Sequence, residues 1–195
     1  MEHYLVHNNG KTASVLYSEF ISNIKPDYLS SQVGTIYKAQ KFAEKAYWNS
    51  LRRDGLTPAI EHPKGVVRRL REVGITDERI LAAAWLHDII EDTAMTREHL
   101  KHSFDPAIAD IVHTLTRNVD RNTYLQRLSR ADRMVQMIKL ADAIDNCSSL
   151  SEDLPYSTIK HKIDDCQLLL FDLSKKLCPR FYSELRSYLD PWICQ

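Results

Sequence analysis

Residues 81–96 read LAAAWLHDIIEDTAMT, and this stretch organises the rest of the chain. Leu81, Ala82, Ala83, Ala84, Trp85 and Leu86 make an apolar run rich in strong helix formers. Four ionisable residues then arrive within six positions: His87, Asp88, Glu91 and Asp92. His87 and Glu91 are four apart, as are Asp88 and Asp92, so helical geometry crowds all four side chains onto one face or end. Uncompensated buried charge is strongly destabilising, so the cluster calls for a cation, most simply a metal ion. Read in isolation, the same residues also suit a helix C-terminus carrying solvated charge.

The surrounding chain has 195 residues, 44% hydrophobic and 27% charged, enough for one domain with a sizeable core. We expect a single domain over residues 1–195, with a motif-bearing centre at about 32–150 and terminal helices packed on it. Lys+Arg and Asp+Glu both total 26. That balance lacks the basic excess of nucleic-acid or membrane-surface binders, so neither partner is expected. Cys147, Cys166, Cys178 and Cys194 form no C-x-x-C pair and read as reduced thiols. The N-terminus MEHYLVHNNGK has no signal-peptide core, and no run nears the ~18 apolar residues of a membrane span. The expected compartment is the cytoplasm.

Five glycines and seven prolines are few for a β-rich chain, and apolar residues recur at helical spacing almost throughout. Met1 to Gly10 reads as a loose start with a turn at Asn8-Asn9-Gly10. Helices are expected over about Lys11–Ile24, ended at Lys25-Pro26-Asp27, and over Ser31–Leu51, Lys64–Val73 and Asp77–Ile90. Others are expected from Thr96, from Asp105-Pro106, over Asp132–Leu150, Ser157–Leu177 and Pro179–Leu189. Arg121–Ser129 is polar and reads as an exposed or mobile helix. Arg68, Arg69 and Arg71 read as one solvated helix face. The fold class is all-α.

Two distant pieces extend the central cluster. His62 precedes Pro63 at a loop-to-helix junction, and Asp142 follows Leu140-Ala141 in an apolar stripe. His62, His87, Asp88 and Asp142 supply two imidazoles and two carboxylates. Such mixed N/O sites suit Mn²⁺, Fe²⁺, Zn²⁺ or Mg²⁺, and ligand type alone leaves the ion open.

The order H…HD…D resembles the HD phosphohydrolase superfamily, more closely the hydrolase domain of RelA/SpoT homologues and the stand-alone small alarmone hydrolases. Those proteins carry F-A-x-x-A-H-x-G-Q-x-R-K, G-x-P-Y-I-x-H-P, A-A-L-L-H-D-x-x-E-D-T and V-K-L-A-D-R-x-x-N. Here the matching stretches are FAEKAYWNSLRR (42–53), GLTPAIEHPKGV (55–66), AAAWLHDIIEDTAMT (82–96) and IKLADAIDN (138–146).

The resemblance implies an HD-domain helical bundle that cleaves a phosphorylated nucleotide, guanosine 3′,5′-bis(diphosphate), at its 3′-diphosphate. It implies His62, His87, Asp88 and Asp142 as metal ligands, with Mn²⁺ the family's usual ion. It implies Glu91 and Asp92 as the pair that positions and activates water. It implies Arg52, Arg53 and Asn146 as substrate contacts, with Ser149 nearby.

The chain departs from the pattern around the substrate. Tyr47 stands where the family has His, Asn49-Ser50 where it has Gly-Gln, Ala59 where it has Tyr, Ala143 where it has Arg, and Asp145 where it has His or Tyr. These differences leave open an HD-class hydrolase of another phosphorylated nucleotide, or a non-catalytic nucleotide-binding module.

Overall fold

The computed structural model describes residues 12–23, 34–152 and 154–193. The expected turn at Asn8-Asn9-Gly10, the break at Lys25-Pro26-Asp27, and Cys194 lie outside the described residues.

Every regular element among the described residues is helical, with one isolated antiparallel bridge between Leu51 and Pro58. The chain forms α1 (Ala13–Ser22), α2 (Thr35–Ala46), α3 (Glu61–Glu72), α4 (Glu78–Leu86) and α5 (Ile89–Asp92). It continues through α6 (Arg97–Ser103), α7 (Pro106–Leu115), α8 (Arg121–Arg130) and α9 (Arg133–Ser148). It ends with α10 (Tyr156–Asp165), a π-helical segment at Cys166–Leu170, α11 (Phe171–Leu177) and α12 (Pro179–Ile193).

The alanine run explains the centre. Ala82, Ala83 and Ala84 are fully buried on α4, and Ile80, Leu81, Trp85 and Leu86 are buried beside them. Side chains that small let α2, α3 and α7 all pack on α4. Asp77 caps the helix by accepting from the backbone N–H groups of Arg79 and Ile80. Upstream, Gly74 follows α3 at φ +83°, the left-handed conformation that glycine adopts freely.

The second central helix, α9, packs on α3 and α12 and is buried nearly all round, Asp142 and Asp145 included. Helix α1 docks through Phe20 against Phe42 and through Tyr17, which stacks on His99 and bonds Ser103 Oγ at 2.7 Å. Cys147, Cys166 and Cys178 are free and buried.

The structure departs from the sequence reading at several points, among them the helix expected over Ser31–Leu51, which ends at Ala46. Helix α3 starts at Glu61, not Lys64, which puts His62 inside its first turn. The helix expected to reach Ile90 ends at Leu86, because His87 turns its ring back to Ala84 and Asp88 begins the separate turn α5. Helix α8 is docked rather than merely exposed: Tyr124 and Leu128 are buried, and the Tyr124 hydroxyl donates to Leu115 O at 2.8 Å. Arg69 leaves the solvated face expected for it and is 4% exposed.

Candidate active site

Helix α3 brings in His62, the α4–α5 junction brings His87 and Asp88, and α9 brings Asp142. One ligand atom from each of the four lies within 4.8 Å of all the others. His62 Nε2 is 3.1 Å from His87 Nε2, 3.2 Å from Asp142 Oδ1 and 3.3 Å from Asp88 Oδ2. His87 Nε2 is 3.2 Å from Asp88 Oδ2 and 3.7 Å from Asp142 Oδ1. Ligands ~2.1 Å from a shared ion sit roughly 3.0 Å apart at right angles and roughly 3.4 Å apart at tetrahedral angles. The observed edges therefore fit a single small divalent cation.

Both imidazoles are aimed by their other nitrogen. His87 Nδ1 donates to Ala84 O at 2.8 Å, which leaves Nε2 facing the cluster. His62 Nδ1 is 2.7 Å from Asp145 Oδ2. Asp142 is braced by its own helix: Lys139 Nζ donates to Oδ2 and Asn146 Nδ2 to Oδ1, both at 2.6 Å.

The electrostatics call for positive charge at the centre. Burial opposes protonation of His87, yet the Asp88 and Asp142 carboxylates together outweigh it and lift the imidazole pKa to about 10. His62 is likewise raised against burial, by its bonds to Asp142, Asp145 and Asp88. Burial also opposes ionisation of the two carboxylates, but His87 holds Asp88, and Lys139 holds Asp142, well below the ordinary range. Protons on imidazole or a divalent ion can each supply the charge that two buried carboxylates need.

Glu91 and Asp92 flank the cluster on α5. Glu91 Oε1 accepts the backbone N–H of Arg117, and Asp92 Oδ2 accepts the Tyr47 hydroxyl at 3.2 Å. Burial and then the Asp88 charge push Asp92 up to about 6. Burial and Asp88 raise Glu91 as well.

A cavity of about 450 Å³ includes Asp142 in its wall. Arg53 and Asn146 line it, as the sequence led us to expect for substrate contacts. Arg52 is turned elsewhere: its Nη1 donates to Asp145 Oδ2 at 2.8 Å and its Nη2 lies 3.5 Å from Ser149 Oγ.

Sequence reasoning missed Arg117, Lys139, His161 and Lys162, which add positive charge or donors to the same wall. Only Lys139 sat in a quoted motif, and its spacing three before Asp142 was the available signal. The π-helical segment places Cys166 and Leu170 in that wall. Such segments often mark functional sites, and this one interrupts the continuous helix expected over Ser157–Leu177.

Comparison with known proteins agrees with this architecture. The HD-domain family profile matches residues 39–171. The guanosine-3′,5′-bis(diphosphate) 3′-pyrophosphohydrolase MESH1 of Xenopus tropicalis is 31% identical over 145 residues, 70% of this chain and 81% of that protein. The Mus musculus MESH1 is 32% identical over 149 residues, with the same coverage. A bacterial guanosine-3′,5′-bis(diphosphate) 3′-pyrophosphohydrolase, from Aquifex aeolicus, is 32% identical over 124 residues, 59% of this chain and 18% of that protein. A solved structure described as a metazoan ortholog of SpoT superposes with a TM-score of 0.68 at 20% identity, covering 83% of this chain and 97% of that one. That likeness supports the fold. The profile and the relatives carry the assignment further: the chain belongs to the HD-domain family, in the group of MESH1 and the RelA/SpoT-homologue hydrolases.

Proposed function

We propose that the chain is a metal-dependent guanosine-3′,5′-bis(diphosphate) 3′-pyrophosphohydrolase, with residues 1–195 acting as one HD hydrolase domain. The observation that carries this is the His62, His87, Asp88 and Asp142 cluster, whose Asp142 also lines a cavity walled by basic side chains and whose Asp88 acts on the neighbouring Glu91 and Asp92. The names of the MESH1 relatives supply the substrate.

In this reading His62, His87, Asp88 and Asp142 hold the ion, and Mn²⁺ is the one we favour. A divalent ion supplies Lewis-acid polarisation of the phosphoryl oxygens and makes water more acidic. Asp92 and Glu91 orient the attacking water and take its proton. Their raised affinity for protons suits a base working near neutral pH. Lys139 and Asn146 keep Asp142 in place. Arg53, Arg117 and Lys162 oppose the charge of the diphosphate, and Asn146 contacts the sugar side. Arg52 does not line the cavity wall, and of its two outer nitrogens only Nη2, the one not bonded to Asp145, is left for the substrate contact expected of it. Cleavage releases pyrophosphate and leaves the nucleotide with a free 3′ hydroxyl.

A second reading keeps the chemistry and changes the nucleotide. Ala143 lines the cavity where the resemblance places an arginine, so one cationic contact is missing there. A panel of nucleotides phosphorylated at 2′, 3′ or 5′, assayed with Mn²⁺, separates the two. Faster turnover of guanosine 3′,5′-bis(diphosphate) than of every other member supports the first reading. Preference for another member overturns it in favour of the second.

A further inference from the structure

Helix α9 carries a second buried carboxylate three residues after Asp142. Asp145 is 7% exposed, and none of the roles above uses it. Both its oxygens are taken. Oδ2 lies 2.7 Å from His62 Nδ1 and accepts from Arg52 Nη1 at 2.8 Å, while Oδ1 accepts from Arg69 Nη1 at 2.7 Å.

Arg69 is itself fixed, its Nε donating to Glu184 Oε1 at 3.3 Å and its Nη1 lying 3.4 Å from Gly65 O. A chain of contacts thus runs from Glu184 on α12 through Arg69 on α3 and Asp145 on α9 to the His62 ring. The space for it is provided by Gly65, where an added Cβ would lie 2.2 Å from Asp145 Oδ1.

A carboxylate taken out of water is costly, and one isolated beside Asp142 would be worse placed still. Two guanidinium groups offset that cost, so the arrangement needs a reason beyond packing. His62 supplies one. Its ring can rotate unless Nδ1 is tied, and His87 has a backbone carbonyl for the purpose whereas His62 has only Asp145. Imidazole ligands are commonly oriented, and made more basic, by a carboxylate on the far nitrogen.

We infer that Asp145 is a positioning residue for His62: held by Arg69 and Arg52, it fixes the ring so that Nε2 faces His87, Asp88 and Asp142. The inference rests on the reading of those four residues as a metal site. Asp145 touches neither ion nor substrate in it, since both oxygens are spent on His62 and the arginines.

The test measures Mn²⁺ affinity by competition with a chelating dye, and the visible spectrum of the Co²⁺-loaded protein, for wild type, Asp145→Asn and Gly65→Ala. Asp145→Asn is expected to weaken Mn²⁺ binding 10–100-fold, the usual effect of losing such a partner, and to alter the Co²⁺ bands. Gly65→Ala keeps every ionisable group and favours the helix, yet pushes the carboxylate away. It is expected to weaken Mn²⁺ binding in the same direction.

A folded Asp145→Asn protein with unchanged affinity and spectrum overturns the inference, even with a lowered Tm. Should Asp145→Asn not fold, Gly65→Ala decides, and unchanged affinity there overturns it. Wild-type protein that binds no Mn²⁺ or Co²⁺ sinks the metal-site reading itself, a failure distinct from the other two.

Discussion

The Tyr47 hydroxyl donates to Asp92 Oδ2 at 3.2 Å, joining the end of α2 to the short α5 turn. Tyr47 stands where the resemblance places a histidine, so this chain steadies its candidate base with a phenol. The bond partly offsets the effects that raise Asp92. Tyr47→Phe removes it without emptying the space. A net hydrogen bond of ~1 kcal/mol predicts a fall in kcat of roughly 5-fold, with KM and Mn²⁺ affinity little changed. Steady-state kinetics over a Mn²⁺ titration checks this.

Asp92 sets function against stability. Its pKa is about 6 in the folded protein, above the ordinary 3.8. The folded state therefore holds this proton more tightly than the unfolded state does. That contribution to stability is complete below about pH 3.8 and is lost as pH rises through about 6. For metal-free protein, Asp92→Asn is expected to be more stable than wild type above pH 6, by ~1–2 kcal/mol, with the gain vanishing below about pH 4. The same change is expected to lower kcat ~10²–10⁴-fold. Urea melts at pH 4 and pH 7.5 beside an activity assay measure both, and a destabilised mutant at pH 7.5 contradicts the electrostatic assignment.

Positive charge in the cavity bears on affinity more than on the bond-breaking step. Lys162→Ala and Arg53→Ala are each expected to raise KM about 10-fold or more, on the scale of a charge-assisted hydrogen bond. The tightness of Mn²⁺ binding should stay as it was. A loss confined to kcat would place these groups at the reaction instead of the diphosphate.

Close packing on α4 allows little growth. Ala83 is fully buried, with α2, α3 and α7 packed on its helix. Ala83→Leu is expected to cost ~1–3 kcal/mol through overpacking. Differential scanning calorimetry should then show a Tm lower by ~2–4 °C for each kcal/mol.

The helical class and the four candidate ligands were legible because each depends on short-range information. The LAAAWLHDIIEDT stretch stands out as a charge cluster after an apolar run, although its helix ends earlier than the pattern suggests, and His62 and Asp142 gain meaning from their motifs. The partners were not legible. Arg69 looks like its neighbours Arg68 and Arg71, and only the packing of α3 on α9 turns it inward to Asp145. His161 and Lys162 lie on α10 with no motif around them, and they enter the cavity wall through tertiary packing. Helix α9 is buried on nearly every side, so an amphipathic pattern could not separate its site residues from its core. The break between His87 and Asp88 escaped for a related reason. A ring bonding back to Ala84 competes with the continuing helix, and residue propensities do not register it.

The most direct measurement of the central claim is pyrophosphate release from guanosine 3′,5′-bis(diphosphate) by chelator-treated protein, followed as Mn²⁺ is added back. Wild type and Asp142→Asn are compared, both shown to be folded by circular dichroism. The account predicts no release without the ion, saturable recovery on addition, and at most a trace in the mutant. Release that persists in the metal-free protein, or that survives unchanged in Asp142→Asn, would contradict it.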